Sequence, residues 1–296
     1  MKTIGYGLFG KTLLFPDEES VPSFICDTQE RSIVVGCENE RRELADMDIA
    51  TQWLHISGER VRYLSQIPFR EYESRTAWGM EIEKTLLLQW NPLSSEILYR
   101  RLCAFSGEKL LFWVLHTFLP IILEMDGEMN ILHSAAVESR KRAILFIAPP
   151  FGGKSTITDH FVSNGYRLVG DDSTGLRIRD GRYFAIPSYP YRRPYRRAGD
   201  LGIFTENFAD SPTELSAIFH LRKSPPQAKM TIEEIKGVEK FDILQNACFI
   251  DLPFRRVERV KFFSDMARRV TLYELTLPAD RKRLPEARER ISSLLS

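Results

Sequence analysis

Five apolar residues at 143–147 run directly into Ala148-Pro149-Pro150-Phe151-Gly152-Gly153-Lys154-Ser155-Thr156, and a stretch of helical character then continues to about Ser163. Strand, glycine-containing turn, Lys-Ser-Thr and helix, in that order, commit this part of the chain to a strand–loop–helix unit. The chemistry comes from the backbone. N–H groups of the turn and of the helix N-terminus face an anion, Lys154 adds positive charge, and the Ser155 hydroxyl can ligate magnesium. The residues expected to cradle a nucleotide's phosphates are Ala148, Phe151, Gly152, Gly153, Lys154, Ser155 and Thr156. The usual pattern has glycine where Ala148 stands, and Pro149 and Pro150 each remove one N–H that could have touched phosphate.

Residues beyond the helix strengthen the reading. Gly165 supplies a helix stop, and a further short strand expected at 166–169 leads to Gly170-Asp171-Asp172. In parallel sheets ligands sit at the carboxyl ends of strands, so the loop and the Asp pair are expected at one edge. The plainer alternative is a structural turn with a solvated strand end after it.

A length of 296 residues bounds the chain to one large or two modest domains, and 43% hydrophobic with 27% charged residues marks an ordinary soluble globular protein. A net charge of +1 gives no global drive toward nucleic acid or membranes. Cys26, Cys37, Cys103 and Cys248 lack zinc-like spacing, and the N-terminus lacks a secretory apolar core, so a cytoplasmic setting is expected. The longest apolar stretch, 110–123, is interrupted by His116, Thr117 and Pro120 and is too short to span a bilayer. It reads as a buried helix with Ser106 as N-cap and Glu108 in its first turn.

The chain divides near residue 127. Residues 1–127 read as a small β-rich N-terminal domain, with runs at 32–36, 53–57, 60–64 and 84–88 and a helical lead-in over about 94–125. Residues 128–296 mix strands and helices. A strand is expected over 131–137, a type I′ hairpin at Asp180-Gly181, helices near 240–249 and 257–269, a strand at 270–277 and a terminal helix at 285–295.

Leu132-His133-Ser134-Ala135-Ala136-Val137, then the 143–156 stretch, then residues 164–172, in that order and at short spacing, resemble the HPr kinase/phosphorylase family. They resemble still more the HPr kinase-related proteins that include lasso-peptide precursor kinases. The likeness covers roughly residues 128–203. It implies an α/β fold, an HPr kinase/phosphoenolpyruvate carboxykinase-type P-loop core, with ATP and Mg2+ as cofactors. Carried across, Lys154 would bind the β- and γ-phosphates and Ser155 the magnesium. Asp171 would accept the hydroxyl proton, Asp172 would help hold the metal, and His133 would sit beside the phosphates. The chain departs from the family at Ala148 and at Arg197, which stands where a metal-binding glutamate is expected, leaving Asp200 as the alternative.

The segment 189–197 interleaves Arg192, Arg193, Arg196 and Arg197 with three tyrosines. It is read as a clamp for phosphate or an acidic acceptor, against a solvated loop or an RNA-stacking surface. Arg222 and Lys223 are weaker anion contacts. His116 reads as a core histidine, and His55 and His160 have no partner at metal spacing. The expected activity is ATP-dependent transfer of phosphate to a hydroxyl, with a serine of a peptide or protein as acceptor. The alternatives are a small-molecule kinase and a non-catalytic nucleotide-binding regulator with a degenerate loop. A nucleotide and a hydroxyl acceptor are the expected partners; membrane is excluded, nucleic acid is disfavoured, and a homo-oligomer is left open.

Overall fold

The computed structural model describes residues 3–16, 32–39, 42–72, 76–193, 199–250 and 252–295. They fall into two units: those within Met1–Glu128, Tyr195–Gly202 and Ile250–Arg255, and those within Met129–Pro194, Ile203–Phe249 and Arg256–Ser296.

The first unit is built on one sheet. Its strands are β1 (Thr3–Leu8), β2 (Lys11–Pro16), β3 (Ser32–Cys37), β4 (Ile49–Ala50), β5 (Leu54–Ile56), β6 (Glu59–Ser65), β7 (Trp78–Ile82), β8 (Leu86–Asn91) and β9 (Glu96–Arg101). They are ordered β1-β2-β3-β9-β8-β7-β6-β4, with β5 on β6. The helical lead-in expected from residue 94 therefore starts later. Ile97 and Tyr99 lie opposite Trp90 and Leu88 across the β8–β9 ladder, and these cross-strand pairs hold 96–101 extended.

The helix itself begins where expected. Ser106 Oγ accepts from Lys109 N at 3.3 Å and opens α1 (Gly107–Phe112). A π-helical stretch, Trp113–Phe118, then joins it to α2 (Leu119–Met125). Leu119 N–H reaches back five residues to Val114 O, and the wider turn absorbs Pro120, which has no N–H to give. His116 is buried there, stacked on Phe112 with ring centroids 4.9 Å apart, and shares a hydrogen bond with Thr117 Oγ1.

The second unit takes its form from the alternation along β12 (Arg142–Ile147). Ala143, Leu145 and Ile147 join one buried cluster, while Ile144, Phe146 and Ala148 join another. Both faces of this strand are therefore covered, which is why its sequence is continuously apolar. One cluster includes Leu244 of α4 (Val238–Asn246) with Phe263 and Met266 of α5 (Arg256–Arg269). The other includes Ile157 and Phe161 of α3 (Lys154–Ser163) with Ala287 and Ile291 of α6 (Leu284–Leu294). The unit is mixed α/β, with helices on both faces of its sheet.

The remaining strands are β10 (Asn130–Leu132), β11 (Ala135–Ser139), β13 (Arg167–Gly170), β14 (Thr174–Arg179), β15 (Arg182–Ile186), β18 (Thr213–Ser224), β19 (Thr231–Glu234) and β20 (Thr271–Pro278). The order is β10-β14-β15-β18-β12-β11-β13, and β20 pairs with β18 and β19. A separate ribbon pairs β16 (Tyr191–Arg192) with β17 (Ile203–Phe204). The strand expected over 131–137 is broken at His133-Ser134, because His133 N–H leaves the ladder to donate to Ala247 O at 2.7 Å. The Asp180-Gly181 turn has positive φ at both residues (50° and 72°) and closes the β14–β15 hairpin.

One point of topology positions the site. β11 lies between β12 and β13 and is antiparallel to both. β12 and β13 thus run the same way and finish at the edge where β11 begins. Among the described residues, no helix is long and apolar enough to cross a membrane.

Candidate functional site

Three segments meet at that edge: the 148–153 loop after β12, the Asp pair after β13, and His133 just before β11. The loop is compact. Gly152 N–H donates to Pro149 O at 2.9 Å, and a Cβ on Gly152 would lie 2.6 Å from the Ala148 Cβ. Gly153 caps α3 with φ of 99°, in the left-handed region that favours glycine. Phe151 stands at the loop's tip, 84% exposed. Lys154 is buried and its Nζ donates to Ala148 O at 3.1 Å. Thr156, in the first turn of α3, is exposed.

Asp171 and Asp172 are 1% and 6% exposed. Ser155 Oγ donates to Asp171 Oδ1 at 3.3 Å, and Arg193 N–H donates to Asp171 Oδ2 at 2.8 Å. Asp172 has φ of 74°, and that left-handed turn aims its carboxylate elsewhere. Its Oδ2 lies 3.3 Å from Arg193 Nη1, whose side chain is 1% exposed. His133 Nδ1 shares a 2.9 Å hydrogen bond with Asp172 O. Burial foremost, and then the charge of Asp172, push the Asp171 carboxyl above its ordinary range; the Arg193 N–H, the Ser155 hydroxyl and Lys154 pull the other way.

No family model matches this sequence, and no curated protein matches it. Among solved structures, one match is the HPr(Ser) kinase/phosphatase from Coxiella burnetii. It is 12% identical with a TM-score of 0.30, covering 55% of this chain and 99% of that one. At that level of similarity the chemistry open to the site rests on its own geometry.

That geometry brings together Lys154, Ser155, Asp171, Asp172 and His133, and the carboxylate against Ser155 is that of Asp171. The described arginines of the 189–197 segment are both paired. Arg192 is ion-paired with Asp159 of α3, and its Nε donates to Thr205 Oγ1 at 2.8 Å. Arg193 is buried against the Asp pair, so neither projects outward as an open clamp. Arg196 and Arg197 lie outside the described residues. Tyr189 and Tyr191 are buried and present no open face for stacking bases. Arg222 pairs with Glu274.

For a metal, the described residues contain no cluster of three or more His, Cys, Asp or Glu side chains. Ser155, Asp171 and Asp172 are nevertheless hard oxygen donors. That set suits magnesium, which characteristically takes one or two carboxylates and completes its shell with phosphate oxygens and water. Asp159, Thr205 and the inward role of Arg193 were missed in the sequence. No local pattern marks these contacts, because they join residues far apart in the chain.

Proposed function

We propose that this protein is an ATP- and magnesium-dependent phosphotransferase acting on a hydroxyl, with a serine of a peptide or protein as the acceptor. The observation that carries this reading is the convergence of the Gly-Lys-Ser loop and the Asp pair, seen in the 3.3 Å contact between Ser155 and Asp171. Phosphoryl transfer needs charge neutralisation and alignment more than covalent chemistry, and this edge offers both. The amides of Gly153 to Thr156 and the Lys154 ammonium would hold the β- and γ-phosphates. Ser155 and Asp172 would hold magnesium, which supplies positive charge to the phosphate oxygens when bound. Asp171, adjacent to Ser155, would take the proton of the acceptor hydroxyl. As that oxygen bonds to the γ-phosphorus, the bond to the β-bridging oxygen breaks and ADP leaves. His133, bonded to the Asp172 carbonyl, would fix the turn that separates the two carboxylates. The sequence resemblance to the HPr kinase/phosphorylase family agrees with this chemistry.

A second reading draws on Pro149 and Pro150, which deprive the loop of two donors: a nucleotide-binding regulator that does not turn over. One experiment addresses both. Magnesium-ATP is expected to raise the melting temperature of the wild type by several degrees through mass action. Lys154→Ala should lose most of that shift, and Asp171→Asn should keep it while failing to phosphorylate. Equal shifts in wild type and Lys154→Ala would remove the loop as the nucleotide site. A wild type that is stabilised yet never consumes ATP would favour the regulator.

A further inference from the structure

β18 is longer than the strand beside it. Its 12 residues run from Thr213 to Ser224, while β12 pairs only with 214–220, the last pair being Ile147 with His220. Residues 221–224 therefore continue past the end of β12, where the 148–153 loop begins, and are held on their other side by β20. Alternation sorts them by face. Ala217, Phe219 and Leu221 join the cluster that contains Ile157 and Phe161 of α3, so Lys223 stands on the α3 face and Arg222 on the opposite one. Arg222 is paired there with Glu274 at 3.3 Å. Lys223 is exposed and, among the described residues, makes no ion pair. It lies opposite Leu277 of β20, and a Cβ on Gly153 would be 3.9 Å from Leu277 Cδ2. The end of the loop thus reaches across β18 toward β20, and Lys223 rises from the strand that it crosses.

We propose that Lys223 is a second lysine of the nucleotide site, donating from β18 to the phosphate chain held in the loop. This rests on the reading of the loop as a nucleotide site, and it adds a contact from outside both the loop and the Asp pair. The loop is short of donors, because Pro149 and Pro150 have no N–H. A lysine supplies three donors at the end of a flexible four-carbon stem, so it can meet a phosphate oxygen without a fixed geometry. Its neighbour in sequence cannot substitute, since Arg222 is on the other face of the sheet. The two lysines also differ in setting. Lys154 is buried and bonded to Ala148 O, whereas Lys223 acts from the solvent side, where salt screens charge more strongly.

A merely solvated lysine predicts something else, namely that removing Lys223 changes nothing. The test is calorimetric titration of the full chain with magnesium-ATP and, separately, with magnesium and inorganic tripolyphosphate. Lys223→Met should bind both about tenfold more weakly than wild type. Its melting temperature without ligand should be unchanged, because an exposed lysine contributes little to stability. Lys223→Arg keeps the charge and should recover most of the affinity. Arg222→Met, one residue away on the opposite face, should bind as wild type does. Added potassium chloride should weaken the wild type more steeply than Lys223→Met, which has lost the exposed cation. Equal affinities in wild type and Lys223→Met overturn the proposal and leave the loop as the nucleotide site. So does an Arg222→Met protein that loses as much as Lys223→Met, because the effect would then be one of general surface charge. A wild type that binds neither ligand removes the nucleotide reading, and the part of Lys223 with it.

Discussion

Asp126, at the end of α2, accepts from Tyr72 Oη at 3.1 Å and from Trp90 Nε1 at 3.0 Å. Burial outweighs both bonds and pushes its pKa from 3.8 up to about 6. A raised folded-state pKa means that the folded protein holds the proton more tightly than the unfolded chain. The stability this contributes is fully present below about pH 4 and is lost as pH rises through about 6. Asp126→Asn should remove that dependence, because an amide stays neutral and can still accept from the indole. In urea titrations the wild type should lose about 1–2 kcal/mol relative to the variant between those limits. Parallel pH profiles would contradict this. At the same scale, the position of Lys154 and Ser155 at the start of a helix was legible in the sequence because it is set locally, by a loop and the helix next to it. It did not show Arg193 facing inward. A run of arginines among tyrosines reads as a clamp for an outside anion until its neighbours in space, Asp171 and Asp172, are known.

At the scale of elements, β12 was legible because a strand covered on both faces must be apolar throughout, and the Asp180-Gly181 hairpin because its turn demands particular residues. β9 was not, since its extended form depends on Trp90 and Leu88 across the ladder. Nor was the insertion of β11 between β12 and β13, because strand order is a property of pairing and leaves no periodic mark. The junction of β13 with the Asp pair is tight. A Cβ on Gly170 would lie 2.6 Å from Ser173 O and 2.7 Å from Ser188 Oγ. The first of these is backbone and cannot rotate away. Gly170→Ala should therefore displace the 171–173 turn, cost about 1–3 kcal/mol, and reduce the magnesium-ATP shift although residue 170 carries no functional group. Urea denaturation at the wild-type midpoint would show that the turn has room.

Across the whole molecule, composition gave only the broad class; how the chain is apportioned between the two units is a matter of tertiary contact. Described residues 199–202, 250 and 252–255 group with the first unit, although their sequence neighbours belong to the second. Phe254 is 1% exposed, and Arg255 Nη1 donates to Glu124 O at 3.0 Å. Unfolding the first unit must therefore release two points along the second unit's chain. Trp53, Trp78, Trp90 and Trp113, all four tryptophans, lie in the first unit, whereas the candidate nucleotide residues lie in the second. Magnesium-ATP is expected to raise the tryptophan-detected melting temperature as much as the one detected by far-ultraviolet circular dichroism, as for a single cooperative transition. Two resolved transitions, with only the second responding to ligand, would refute that coupling. Lys154 and Arg193 lie beside Asp171 and Asp172, so among the described residues the fields of these four side chains largely cancel beyond a few ångströms. If a polyphosphate binds at this edge, these four groups would do little to steer its approach and would act only on a molecule already in contact with them.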